Sequence, residues 1–348
     1  MTRLSYAESH SHDPYFNLSF EKYLFENVPD DEVIFYLWQN ERTVVCGRNQ
    51  NIYKECNLTA LDKLGGKVAR RLSGGGAVFH DLGNLNFSFI ARDALYDVDR
   101  QMEIIRDALS RMGFNVERSG RNDLTIDGRK ISGSAFHKAN GSNCHHGTIM
   151  IDVDPDILKE VLTVDPGKLE SKGVSSVSSR VANLKDFRED ITLDELKKYL
   201  FGACLRAYDC KNFSSEITIS SKMVVSSNGR LDWFSDGSML TMLQALSENH
   251  GFFADDKWIY GRNPAFTDII EHRFDWGSVE ICLNVEGDEI KDCKIFSDSL
   301  VPEFILAAED SLPGTKYSPD KIKAAIDKAA ASVDDDVVSI AGDIKNLF

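Results

Sequence analysis

The 348-residue chain lacks several features that would each have named a function class. It has no positive charge excess. Its formal net charge is -15, which argues against a general nucleic-acid binder, whose footprint is a basic patch backed by positive net charge; any cationic site must be local. No apolar run reaches the roughly eighteen residues of a membrane span, and the stretch from Met1 to Val33 carries charges throughout, so the chain reads as soluble, untargeted and cytoplasmic, with no membrane partner. Its seven cysteines are odd in number and form no Cys-x-x-Cys pair, which fits reduced thiols better than a disulfide framework. Gly-x-Gly-x-x-Gly and Gly-x-x-x-x-Gly-Lys-Ser/Thr are both missing, which excludes Rossmann and P-loop nucleotide sites. No internal repeat or low-complexity tract is evident.

What is present is ample apolar material, 42% of residues, on a chain long enough for two domains. Helical spacing over Asn17–Val28 is followed by strand patterns at Val33–Trp38 and Thr43–Gly47. Strands continue at Lys67–Leu72, Ala77–His80 and Leu85–Ile90. A second helix follows at Asp99–Met112, then strands at Asp123–Ile126, Lys130–Phe136 and Gly147–Ile151, with Asp127-Gly128 as a turn. Hairpins alternating with helices predict an α+β fold on a largely antiparallel sheet. Leu193–Tyr208 reads as a helix, and Ser214–Asn228 alternates polar and β-branched residues. A polar break near His250–Asp256 is expected to precede a second unit, with strands at Trp258–Phe266, Phe274–Val285 and Ile290–Ser297, a helix at Pro319–Ser332, a solvated Asp334–Asp336 turn and a last short helix.

The chemistry concentrates in the segment Arg70-Arg71-Leu72-Ser73-Gly74-Gly75-Gly76-Ala77-Val78-Phe79-His80-Asp81-Leu82-Gly83-Asn84. Two permanent cations offer forked donors for oxyanions, and three glycines leave a run of backbone amides open to a ligand. The plain alternative is a flexible hairpin turn. Lys130, just past Asp127-Gly128, is by itself a solvated charge beside a turn, and Asp123 a turn residue at a strand start. His145-His146 invites a zinc reading, but adjacent histidines do not converge on one metal, and no Cys/His partner lies at finger spacing. Cys144, just before them, reads as a packed thiol. Lys172–Arg180 is polar and serine-rich, the composition of a mobile loop and a candidate lid.

Taken together and in order, the glycine segment, Gly120-Arg121-Asn122-Asp123-Leu124, Gly128–Ala135, His145-His146-Gly147-Thr148 and Lys172–Val177 resemble the lipoate-protein ligase A family. The likeness extends from Asp13–Asn17 through Phe35–Glu55, and Trp258, Gly261 and Phe296–Leu300 are similar to the accessory domain of two-domain bacterial ligases. The resemblance implies a biotin/lipoate-protein ligase catalytic domain over residues 1–250, related in fold to class II aminoacyl-tRNA synthetases, and a smaller α+β C-terminal accessory domain over 257–348.

It also implies an activity. Such ligases use ATP and Mg2+ to convert lipoate to lipoyl-AMP, then pass the acyl group to a lysine of lipoyl domains, in 2-oxoacid dehydrogenase E2 subunits or glycine-cleavage H protein. Octanoate is a second acid of the same kind. Lys130 matches the essential lysine that bridges the acyl carbonyl and the α-phosphate, a shared position that suits a point charge on a flexible stem. Arg71, Gly76, Ala77, Val78, Phe79, Lys130 and Lys172 match ATP- or adenylate-contacting positions. Trp38, Arg71, Ser73, Lys130, Ala135 and His146 match the lipoate pocket, and Asp123 the magnesium ligand. Lys172–Arg180 would fold over the adenylate, with Ser178 standing where some relatives carry arginine.

Two alternatives remain within reach of the same fold. One is a lipoyl- or octanoyltransferase lacking adenylation; its cysteine-thioester form would need a thiol in the mobile loop, and Lys172–Arg180 has none. The other is a non-catalytic lipoyl-binding protein. The glycine-arginine loop of biotin ligases is absent.

Overall fold

The computed structural model describes residues 2–120, 122–163, 181–209, 216–220, 223–226, 238–261, 266–333 and 337–348. Internal contacts divide the chain into two units: the first holds residues 1–45, 56–69 and 78–259, the second 46–55, 70–77 and 260–348.

The first unit is built on a nine-stranded sheet. Its strands are β1 (Arg3–Ser9), β2 (Glu32–Trp38), β6 (Asn84–Arg92), β7 (Glu117–Ser119), β8 (Asp123–Ile126), β9 (Arg129–Ala139), β10 (Ser142–Met150), β11 (Glu216–Ser220) and β12 (Met223–Ser226), in the order β12-β11-β1-β2-β6-β10-β9-β8-β7. Only β1 runs parallel to its neighbours β2 and β11; the remaining pairs are antiparallel, as the hairpin pattern predicts. A separate small sheet orders β4 (Lys67–Arg70), β3 (Thr43–Cys46) and β5 (Val78–His80).

The pleat decides what each sheet face does, because successive side chains point to opposite sides. Phe35 and Leu37 of β2 and Phe87 and Phe89 of β6, all fully buried, pack with Ile105, Ala108 and Leu109 of helix Val98–Arg111 and Leu196 and Leu200 of helix Leu193–Ala207. Burying each such side chain contributes about 1.5–3 kcal/mol. The opposite face carries Tyr36, Trp38 and Ser88 against helix Pro14–Asn27, which starts with proline at its first turn, where the missing N–H costs nothing.

The second unit has a three-stranded meander, β13 (Asp268–Phe274), β14 (Gly277–Glu286) and β15 (Glu289–Ser297). Its core joins Ile281, Leu283 and Ile295 to Phe304 and Ile305 of helix Pro302–Ser311 and to Ile322 and Ile326 of helix Pro319–Ala330.

Three expectations are corrected here. Helix Ser238–Phe253 takes in His250 and packs on the first helix through Lys22 Nζ to Asn249 Oδ1 at 3.0 Å and His250 Nε2 to Asp13 at 3.0 Å, so the expected break shortens to Ala254-Asp255. Trp258 belongs to a short helix, Asp256–Tyr260, instead of a strand. The strand expected over Phe274–Val285 begins only at Gly277, and Phe274 closes a preceding strand, β13, that the sequence pattern does not announce. Lys172–Arg180 and the Asp334–Asp336 turn lie outside the described residues. Among the described residues, no helix is long and apolar enough to cross a membrane.

Candidate active site

Strand register gathers Trp38, Asp123, Ala135 and His146 of the first unit onto one sheet face. One row crosses five strands: Trp38 pairs with Asn86, Asn86 with Thr148, Thr148 with Gly133, and Gly133 with Asp123. The next row on the same face runs Tyr36, Ser88, His146, Ala135. Trp38, Ala135, His146 and Asp123 thus share one face of the sheet by pleat and pairing, with His146 directly beside Ala135.

Lys130 joins them through an irregularity that periodicity does not predict. Asp127 and Gly128 take φ of +50° and +73°, as a two-residue hairpin turn whose twist suits the strands demands. Register then shifts: Thr125 pairs with Lys130, but Leu124 pairs with Ser132, leaving Ile131 as the extra residue of a bulge. Ile131 and Leu124 both enter the core. The bulge therefore places Lys130 on the face of Gly133, three residues on, where strict alternation would put it on the opposite side. Its Nζ lies 2.8 Å from Asp123 Oδ1, with Lys130 about one-third exposed. The side chain crosses Gly133 so closely that a Cβ there would sit 2.5 Å from Nζ. The chain at Ala182 comes to the same place, with Ala182 N donating to Lys130 O at 2.8 Å.

His146 is held from the helix side. Its Nδ1 is 2.9 and 3.0 Å from the two oxygens of Glu21, which also accepts from Ser88 Oγ at 2.5 Å; Trp38 Nε1 in turn donates to Ser88 Oγ at 3.0 Å. Burial pushes the Glu21 carboxyl up, but His146 and Ser88 outweigh it and hold it below its ordinary value. Glu21 escapes sequence reasoning as a functional residue. The available signal is a carboxylate on the buried stripe of a helix, four residues after Asn17 and three before Leu24. His145 points the other way, among Phe87, Phe89 and Phe136, with Nδ1 3.0 Å from Gln101 Oε1; burial takes it down to about 3, so it stays neutral. Burial and Glu21 push the Cys144 thiol well up, the reverse of what a thioester nucleophile needs.

Val78 and Phe79 lie on β5 of the first unit, whereas Arg71, Ser73, Gly76 and Ala77 belong to the second. There the double arginine shapes the glycine loop. Arg70 Nη1 donates to the carbonyls of Gly47, Arg48 and Gln50 at 3.0, 2.8 and 2.8 Å. Arg71 donates to Ser73 Oγ at 3.0 Å, Gly74 O at 2.6 Å and Gly76 O at 2.8 Å. The open run of amides expected over Gly74–Gly76 is partly closed: Gly74 and Gly75 are buried, and Gly75 N donates to Ser299 O at 3.0 Å. The missing side chain of Gly74 admits the Ser299-Leu300 backbone and the Pro302 ring, since a Cβ there would lie 2.1 Å from Ser299 O. Gly75 takes φ +85°, a conformation glycine adopts without strain. Lys172 lies outside the described residues.

Comparison with known proteins places the chain in a family. The lipoyl protein ligase A/B catalytic domain family matches residues 13–204, and the bacterial lipoate protein ligase C-terminus matches residues 263–337. A lipoate-protein ligase A of Blochmanniella pennsylvanica is 38% identical over 323 residues, 91% of this chain and 90% of that protein. The structure of P. falciparum LipL1 in complex with lipoate superposes with a TM-score of 0.81 at 28% identity, covering 99% of this chain and 98% of that one. A lipoate-protein ligase A bound with ATP shares the fold, with a TM-score of 0.60 at 24% identity over 75% of this chain and 98% of that one.

Proposed function

Since the chain belongs to the lipoyl protein ligase A/B catalytic family, we propose that it uses ATP to convert lipoate to lipoyl-AMP and then lipoylates a lysine of a lipoyl domain. The observation that carries this reading is the Lys130 ammonium, re-aimed by a bulge onto the sheet face that holds Trp38, Ala135, His146 and Asp123.

In the first step the lipoate carboxylate attacks the α-phosphorus of ATP and pyrophosphate leaves. Two anions must meet, and negative charge accumulates on the phosphate oxygens, so a fixed cation lowers the barrier. Lys130, partly exposed and on a flexible stem, supplies that charge between the acyl carbonyl and the α-phosphate. Asp123 holds its ammonium in place until the substrates arrive. One carboxylate fits Mg2+, which takes most of its six oxygens from phosphate and water; Asp123 would hold it, and the ion when bound neutralises phosphate charge. In the second step the acceptor amine attacks the acyl carbon, AMP leaves, and Lys130 stabilises the oxyanion.

Trp38, Ala135 and His146 line the apolar slot for the aliphatic chain and dithiolane ring, a slot that also accepts octanoate. Val78 and Phe79 meet the adenylate, and within the second unit Arg71 fixes the loop that carries Gly76. We assign residues 1–250 to catalysis and 257–348 to the accessory domain. The acceptors are E2 lipoyl domains or H protein, and the reaction is cytoplasmic.

Release of pyrophosphate dependent on both ATP and lipoate tests the reading. A transferase without adenylation, or a lipoyl-binding protein, would release none.

A further inference from the structure

We propose that Glu21, Cys144 and His146 form a binding site for one thiophilic divalent cation of the zinc class. A carboxylate oxygen, Cys144 Sγ and a His146 ring nitrogen all lie within 4.8 Å of one another, and all three residues are buried. Zinc bonds of about 2.0 Å to nitrogen and 2.3 Å to sulfur put neighbouring donors of one tetrahedral shell roughly 3–4 Å apart, so small side-chain adjustments suffice. The zinc argument from sequence concerned His145-His146, which the pleat separates. The pair that shares a face is Cys144 and His146, two residues apart on β10, and the third donor comes from a helix more than a hundred residues earlier in the chain.

Charge supports the assignment. A thiolate, a carboxylate and a neutral imidazole carry two negative charges, which a divalent ion cancels, so the loaded site is neutral in a buried place where net charge is costly. Binding releases the Cys144 proton to solvent. The donors are also supported from behind: Ser88 Oγ donates to Glu21 at 2.5 Å and Trp38 Nε1 to Ser88 Oγ at 3.0 Å. His137 pairs with Cys144 in register, but its ring stacks on Phe25 at 4.8 Å and is no part of the shell. Three protein ligands leave a fourth position open, the pattern of an exchangeable ion instead of a structural one. On the reading that His146 and Trp38 line the lipoate slot, the bound ion competes with the acyl chain and the site acts as an inhibitory one.

The test needs neither lipoate nor ATP, so its failure is separate from failure of the proposed activity. Purified full-length protein is titrated with Co2+ and followed by absorption, with Zn2+ then displacing the cobalt. The expected result is a single equivalent with a thiolate-to-cobalt charge-transfer band and tetrahedral d–d bands. Cys144→Ser should lose the charge-transfer band, and Glu21→Gln should weaken affinity by at least about tenfold. Circular dichroism checks the fold of each variant, and X-ray absorption on the zinc-loaded wild type gives a readout free of mutation, with one sulfur expected at about 2.3 Å. Absence of a thiolate band in the wild type, an unchanged band in Cys144→Ser, or a zinc shell without sulfur overturns the site.

Discussion

Gly133→Ala separates the role of Lys130 from the stability of the fold. A Cβ at position 133 would lie 2.5 Å from Lys130 Nζ and 2.6 Å from its Cε, while its distance to Asp123 Oδ1 would be an ordinary 3.6 Å. Ordinary contact begins near 3.5 Å, so the ammonium must retreat by about 1 Å. The atoms that give way are the end of a flexible side chain, and Gly133 is not among the residues of positive φ, so the backbone accepts alanine. Replacing glycine within a strand removes an entropic penalty of about 0.5–1 kcal/mol, and the melting temperature should stay level or rise slightly. Adenylation should fall about a hundredfold, the cost of misplacing a reacting group by about 1 Å, equivalent to roughly 2.7 kcal/mol of barrier. Pyrophosphate release beside a thermal melt measures both quantities. Adenylation within about threefold of wild type, with the melt unchanged, would refute the claim that this ammonium position matters.

Lys130→Ala should abolish detectable adenylate formation, a loss of at least about 10²–10³, while circular dichroism stays native because the side chain is partly exposed; undiminished pyrophosphate release would overturn its role. Gly74→Ala should destabilise the second unit by about 1–3 kcal/mol through overpacking, because the atom it meets is the Ser299 carbonyl, not a movable side-chain end; urea denaturation measures it. Asp13 supplies a pH dependence. Burial pushes its carboxyl up, but hydrogen bonds from Lys67 and His250 outweigh this and hold it below 3.8. Its contribution is therefore complete above that pH and lost as pH falls through the lower folded value. Asp13→Asn should be less stable than wild type at neutral pH by under about 1 kcal/mol, and the gap should close in acid; a gap independent of pH would contradict the pairing.

The parts of this fold that could be read from sequence are those with strong local signals. Asp127-Gly128 announced its hairpin because few other pairs take two positive φ values, and Asp99–Met112 showed a clean apolar stripe that became helix Val98–Arg111. Helix Ser238–Phe253 was hidden because exposed Leu243 and Phe252 blur the stripe formed by Met242, Leu246, Asn249 and Phe253. β13 was missed since Ile269, Glu271 and His272 are all exposed and give no clean alternation. At the site, the resemblance named Lys130, Asp123, Trp38, Ala135 and His146, and strand register and the bulge place these five on one sheet face. Two things were not legible. A bulge, which changes which side chains share a face, leaves no mark in composition, and the Glu21 contact to His146 joins positions too distant for any spacing argument.

The most direct measurement is mass spectrometry of a purified apo lipoyl domain incubated with this protein, lipoate, Mg2+ and ATP, beside a reaction given synthetic lipoyl-AMP. The account predicts lipoylated lysine in both reactions. Modification only from lipoyl-AMP would contradict the adenylation step, and modification in neither would contradict ligation altogether.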